Sequence, residues 1–246
     1  MILRVENIRK RFGEKIVLDG ISFNCDAGEC LGIVGRSGCG KSTLVKIISR
    51  FLEPDDGSIF LDDRDITHEK NLKSIYRKLQ MIFQTPETSF NPRKTIGWSI
   101  SEPIRNFGID AQVKDLLEEV GLDPILANRY PHEISGGQCQ RAAIARAISI
   151  SPKILICDEA TSALDVTIQA QIVELLRNLI HRKRIACLFV THDLAILPRI
   201  ANRIIVLDAG KIIDQGEIRN VLDQPKSRLT QKFIEDYKIF FEGKQI

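Results

Sequence analysis

Cys30-Leu31-Gly32-Ile33-Val34 runs directly into Gly35-Arg36-Ser37-Gly38-Cys39-Gly40-Lys41-Ser42, and apolar residues at helical spacing follow to Phe51. The first five residues are short, glycine-bounded and partly β-branched, which reads as a buried strand. The next eight fit G-x-x-x-x-G-K-[ST] at every fixed position, with Thr43 continuing into the helix. A strand before this spacing and a helix after it is the context of a phosphate-binding loop. Glycines let the loop point its backbone N–H groups inward around an anion. The helix adds the positive end of its dipole. Lys41 is then placed for the β- and γ-phosphates of a nucleotide, and the Ser42 hydroxyl for Mg²⁺.

Three weaker signals gain meaning from that loop. Ile154-Leu155-Ile156-Cys157 is an apolar strand that ends in Asp158-Glu159. Ligands of parallel sheets sit at the carboxyl ends of strands, so both acids should face the phosphates. Asp158 suits a metal-holding role, and Glu159, one residue on, suits the attacking water. His192 follows the strand Cys187–Val190 and Thr191, and would sit beside the same phosphates. Gln84 ends the strand Met81-Ile82-Phe83; its amide oxygen can touch Mg²⁺ or a water without adding charge. Alone, a strand-end histidine or an acidic pair is more often a solvated surface feature.

Farther out, the chain changes character twice. Leu3, Val5 and Asn7 alternate with Arg4, Glu6 and Ile8, and a second alternation runs from Val17 to Phe23 before the turn Asp26-Ala27-Gly28. Gly57–Leu61 and Leu79–Phe83 read as further strands. From about Lys94 to Ser149 the pattern is mostly helical. Val113, Leu116, Leu117 and Val120 share one helical face, which Gly121 ends. After Pro152, strands at 154–157, 186–190 and 203–207 alternate with a helix whose face is Ile168, Ile172, Leu175, Leu176 and Leu179. Strand–helix alternation on both sides of a helical block predicts a parallel α/β core with an inserted helical subdomain.

A second anion cradle lies in that block. Ser135-Gly136-Gly137-Gln138 opens the helix Cys139–Ile150, with a hydroxyl and two glycines at a helix start. The same residues also fit a plain Ser N-cap with a glycine turn. One nucleotide needs one cradle, so a second suggests a site that serves another chain's nucleotide.

The bulk numbers narrow the class. The 246 residues are 43% apolar and 27% charged, an ordinary globular range that excludes disordered and fibrous chains. Lys plus Arg minus Asp plus Glu is 35 − 32 = +3, and aromatics are 6%. Neither a basic footprint nor a stacking platform for nucleic acid results. The opening MILRVENIRKRF carries charges every few residues, unlike a secretory signal, and no run approaches the ~18 apolar residues of a spanning helix. Six cysteines show neither C-x-x-C pairing nor zinc-type histidine spacing, so they read as free thiols of a cytosolic chain.

Taken together, Gly35 to Ser42, Gln84, Ile134-Ser135-Gly136-Gly137-Gln138, Asp158-Glu159, Ser162-Ala163-Leu164-Asp165 and His192 resemble, in order and spacing, an ABC transporter ATPase subunit, over about Leu3 to Pro225. The resemblance implies an α/β fold: a P-loop NTPase (RecA-like) core with an N-terminal antiparallel β-subdomain and an inserted α-helical subdomain. One domain, 1–246, would have its core at about 1–84 and 153–246 and its helical part at about 85–152. ATP and Mg²⁺ are the implied cofactors. Phe12 matches the aromatic that stacks on adenine, where Tyr is commoner. Gly35 through Thr43 would bind ATP, and Ser42, Gln84 and Asp158 would hold Mg²⁺. Glu159, His192 and Gln84 would serve catalysis. Ser135, Gly136, Gly137, Gln138 and Asp165 would act on the ATP of a second ATPase subunit, a paralogue more often than a copy, in a head-to-tail dimer.

The resemblance narrows further. Phe83-Gln84-Thr85-Pro86, Ser89-Phe90-Asn91-Pro92-Arg93, Glu102-Pro103-Ile104 and Arg129-Tyr130-Pro131-His132-Glu133 look like importer ATPases for oligopeptides, dipeptides and nickel. This implies two membrane permeases, met by the segment around Gln84 to Pro103, an extracytoplasmic solute-binding protein, no nucleic acid, and a place on the cytoplasmic face of the membrane. Lys226-Ser227-Arg228-Leu229-Thr230 stands where peptide importers often carry His-Pro-Tyr-Thr, and the chain ends at Ile246. These departures favour the shorter nickel or metal-chelate branch, with a di- or oligopeptide importer as the alternative. A soluble ABC ATPase acting on nucleic acid would need long coiled-coil insertions, and no sustained heptads occur.

Overall fold

The computed structural model describes residues 1–161 and 164–242. Ser162 and Ala163 of the quoted Ser162-to-Asp165 motif lie outside the described residues.

Two sheets stack. The antiparallel sheet holds β1 (Leu3–Phe12), β2 (Lys15–Cys25), β4 (Asp56–Leu61) and β5 (Arg64–Asp65), in the order β2-β1-β4-β5. The second sheet holds β3 (Cys30–Gly35), β6 (Leu79–Ile82), β7 (Ile154–Asp158), β8 (Ala186–Thr191), β9 (Arg203–Asp208) and β10 (Lys211–Glu217). Its order is β10-β9-β3-β8-β7-β6; all neighbours run parallel except the β9–β10 hairpin.

The parallel strands are apolar throughout because both faces are covered. Period-two alternation splits them between two cores. Leu31, Ile33, Ile154, Ile156, Leu188, Val190, Ile205 and Leu207 face the antiparallel sheet and α1 (Lys41–Ile48). Cys30, Val34, Leu155, Cys157, Cys187, Phe189, Ile204 and Val206 face the helical side. There they meet α3 (Ile96–Phe107), α4 (Val113–Glu119), α5 (Gly136–Ile148) and α6 (Val166–Lys183). The helices α2 (Leu72–Tyr76), α7 (Ile218–Asp223) and α8 (Arg228–Glu242) complete the chain. No helix among the described residues is long and apolar enough to cross a membrane.

Some details differ from expectation. Ile8 was expected opposite Leu3 and Val5, yet all three are buried in one core. The register shifts between Val5 and Ile8, and Asn7 adopts φ 50°. This bulge inserts one residue and returns Ile8 to the inner face. The helix expected to reach Phe51 stops at Ile48, and Arg50 turns the chain at φ 62°.

One ion cluster joins the sheets. Asp62, just after β4, accepts from Lys78 Nζ at 2.9 Å and from Lys153 Nζ at 2.5 Å, the residues that precede β6 and β7. Burial pushes the Asp62 carboxyl up, but the two ammonium groups outweigh it and hold it below the ordinary value.

Candidate nucleotide site

Parallel order brings four strand ends to one edge. In register, Val34 pairs with Thr191, Asp158 with Val190, and Ile82 with Cys157. The loop after β3, His192 after β8, Glu159 after β7 and Gln84 after β6 therefore line up along this edge. Strands lie about 4.8 Å apart, so the row spans roughly 14 Å from β3 to β6.

The loop is shaped by its glycines. Gly40 caps α1 with φ 114°. A Cβ there would come within 2.8 Å of both the Val17 carbonyl and Leu18 Cδ2, so the backbone approach admits only hydrogen. The same contact seats the β1–β2 hairpin on the loop. That hairpin carries Phe12, whose side chain is exposed. Arg36, Ser37, Gly38 and Ser42 are exposed, Thr43 is half-buried, and Gly35 and Cys39 are buried.

Lys41 is 6% exposed, and its Nζ donates to the carbonyls of Gly35 (2.6 Å) and Arg36 (3.0 Å). These partners carry no charge. A buried cation solvated by loop carbonyls fits a site that takes a phosphate anion. The Arg36 guanidinium lies 5.9 Å over the Phe233 ring of α8.

The acids differ in environment. Burial first, and the neighbouring Glu159 carboxylate second, push Asp158 above its ordinary value, against the pull of Lys41 and Lys46. A carboxyl strained by a like charge gains from a cation, which fits a divalent metal held with Ser42. Glu159 has φ 49°, a left-handed conformation that costs a non-glycine residue about 1–3 kcal/mol. Its N–H donates to the Val190 carbonyl at 2.9 Å. Its Oε1 lies 3.3 Å from His192 Nδ1, so these two side chains meet as the shared edge implies.

The Ser135 group stands on other elements, at the starts of α5 and α6. Ser135 Oγ accepts from Gln138 N at 3.3 Å, and Gln138 Oε1 accepts from Ser135 N at 3.0 Å, a closed capping box for α5. A Cβ on Gly137 would meet Ile168 Cγ2 at 2.8 Å, so this glycine lets α6 approach α5. Asp165 caps α6, accepting from the N–H groups of Thr167 and Ile168.

Residues 18–162 match the family model described as "ABC transporter". The chain belongs to the ABC transporter family. This ABC chain is 40% identical over 240 residues to "Oligopeptide transport ATP-binding protein AppF" of Bacillus subtilis, covering 94% of itself and 73% of that protein. It is 42% identical over 223 residues to "Oligopeptide transport ATP-binding protein OppF" of Salmonella typhimurium, covering 87% and 67%. It is 41% identical to "Glutathione import ATP-binding protein GsiA" of Pectobacterium atrosepticum, but spans only 40% of that protein's length. Among solved structures, the dimeric ATP-binding cassette MJ0796 bound to ADP and Pi is 29% identical, with a TM-score of 0.78, over 89% of this chain and 99% of that one. The fold is that of an ABC ATPase cassette, and the chain is an ATPase of this family.

Sequence reasoning missed Gln140. It is fully buried in α5, and its Nε2 donates to the Ala160 carbonyl at 2.6 Å. The signal was available: Gln140, Ala143, Ile144 and Ala147 share an i, i+3, i+4, i+7 face, which puts a polar side chain in a core stripe.

Proposed function

We propose that the chain is the ATP-hydrolysing subunit of an importer that carries peptides or peptide-like solutes. The observation that carries ATP hydrolysis is the single edge shared by the Lys41 loop, Asp158 and the Glu159–His192 pair. Lys41 and the loop N–H groups bind and orient the phosphates. Ser42, Asp158 and Gln84 hold Mg²⁺, which supplies positive charge against the phosphate oxygens. Glu159 orients the attacking water and takes its proton, with His192 fixing the carboxylate. Phe12 stacks on the base. Ser135 to Gln138 and Asp165 close on the ATP of a partner ATPase. In this reading residues 1–84 and 153–246 form the core, and 85–152 meets two permeases on the cytoplasmic face, fed by a solute-binding protein.

The peptide substrate rests on the relatives' names, which are oligopeptide and glutathione importers. This replaces the nickel or metal-chelate substrate expected from the sequence. That expectation leaned on where the chain ends, and chain length carries no chemistry of solute recognition.

Uptake assays in a strain lacking the chain test the reading. Uptake of di- and oligopeptides or glutathione should fall while nickel uptake stays normal. Loss of nickel uptake with normal peptide uptake would reverse the substrate assignment.

A further inference from the structure

The turn that presents Glu159 is held from two sides. The Glu159 N–H is tied to Val190 of β8, and the next carbonyl, Ala160, is tied to Gln140 of α5. A non-glycine residue at φ 49° persists only where its surroundings fix it, and these two hydrogen bonds flank the strained residue. Gln140 performs this at a cost to the fold, because its Oε1 is buried and has no partner among the described residues. A buried acceptor left unmade destabilises a protein; an apolar side chain here would remove that orphan but leave the Ala160 carbonyl without its donor. Stability given up beside a catalytic turn is the pattern of a residue kept for function.

Gln140 also lies five residues from Ser135, on the helix that the Ser135–Gln138 box heads. A helix moves as a rigid element, so a shift at its first turn reaches Ala160 through one amide.

We propose that Gln140 is a positioning residue that fixes the turn carrying Glu159 and ties it to the helix facing the partner's nucleotide. This rests on the roles given above to Glu159 and to Ser135–Gln138.

Gln140→Met tests it, because methionine matches the length of glutamine and donates nothing; it removes the Oε1 acceptor and frees the Ala160 carbonyl. The full chain, in the membrane complex it purifies with, is assayed beside Glu159→Gln. The expected result is a kcat lowered roughly tenfold, the scale of one net hydrogen bond. KM for ATP should stay within about twofold, since this amide does not touch the phosphate loop. The Tm should stay near the wild-type value, because one orphan oxygen is exchanged for another. A merely structural residue would lower Tm and kcat together, and that result overturns the proposal, as does failure of both Gln140→Met and Gln140→Leu to fold. Wild-type kcat in Gln140→Met, with hydrolysis lost in Glu159→Gln, overturns the proposal and leaves the role of Glu159 standing. Wild-type hydrolysis in Glu159→Gln would remove the underlying reading instead.

Discussion

Lys41 gives up its contact with water for two carbonyl dipoles, and Glu159 keeps a strained backbone to hold its carboxylate beside His192. Both arrangements suit the phosphate site proposed above. Replacing Lys41 with Ala removes the loop's buried charge, so Lys41→Ala should abolish ATP hydrolysis while leaving the circular dichroism spectrum unchanged. Unaltered hydrolysis would exclude the loop as the phosphate site. Glu159→Gln keeps size and one acceptor but loses basicity, so the rate should fall about 10²–10⁴-fold. Equilibrium binding of Mg·ATP should persist, as a fluorescent nucleotide can report. The loop that carries Lys41 and Ser42, between β3 and α1, was legible in the sequence because eight contiguous residues hold its whole pattern. The Glu159 conformation was not, since no local pattern encodes φ 49° on a glutamate. Periodicity could place Gln140 in a core stripe, but its bond to Ala160 could not be read, because it joins α5 to the turn after β7, twenty residues on.

Helix packing shows the same contrast between local and long-range information. The faces of α4 and α6 were readable from periodicity. The seam between α5 and α6 was not, because Gly137 is needed for Ile168 rather than for a turn. Gly137→Ala should therefore overpack this seam and cost about 1–3 kcal/mol, read as a lower midpoint in chemical denaturation. Adding Ile168→Ala should recover part of that loss; no recovery would place the strain elsewhere. The two-residue β5 and the hairpin strand β10 escaped notice for a related reason. β10 reads Lys-Ile-Ile-Asp-Gln-Gly-Glu, with a buried Asp214 where alternation would demand an apolar residue, because that carboxylate accepts from the Lys226 N–H. Between sheets, the Asp62 cluster links β4 to β6 and β7. The folded-state carboxyl titrates below its unfolded value, so its stabilisation is full above about pH 4 and is lost as pH falls through the lowered value. Asp62→Asn should cost on the order of 1 kcal/mol at pH 7. The difference from wild type should shrink below pH 4, and a difference independent of pH would show that packing, not charge, was lost.

At the scale of the molecule, two groups of polar residues stand on separate elements: the strand-end row, and the capped starts of α5 and α6. If the second group completes a partner's site, bound and unhydrolysed ATP should hold two cassettes together. Size-exclusion chromatography of Glu159→Gln with its partner ATPase should shift toward dimer with Mg·ATP and not without it. No shift would leave the Ser135 box as a helix cap alone.

The position of β3 has one more consequence. The strand that feeds the phosphate loop lies between β8 and β9, whose residues are some 150 to 180 positions farther along the chain. A ribosome delivers Gly35 to Ser42 well before the walls on either side, which follow only after some 150 further residues. Until then β3 exposes two unpaired edges, and the loop has no rigid base from which to grip an anion. Such long-range closure slows folding. It also makes nucleotide binding a report that the chain has been made and folded through β9: a nascent chain halted before β8 would carry every residue of the loop and still be unable to hold ATP.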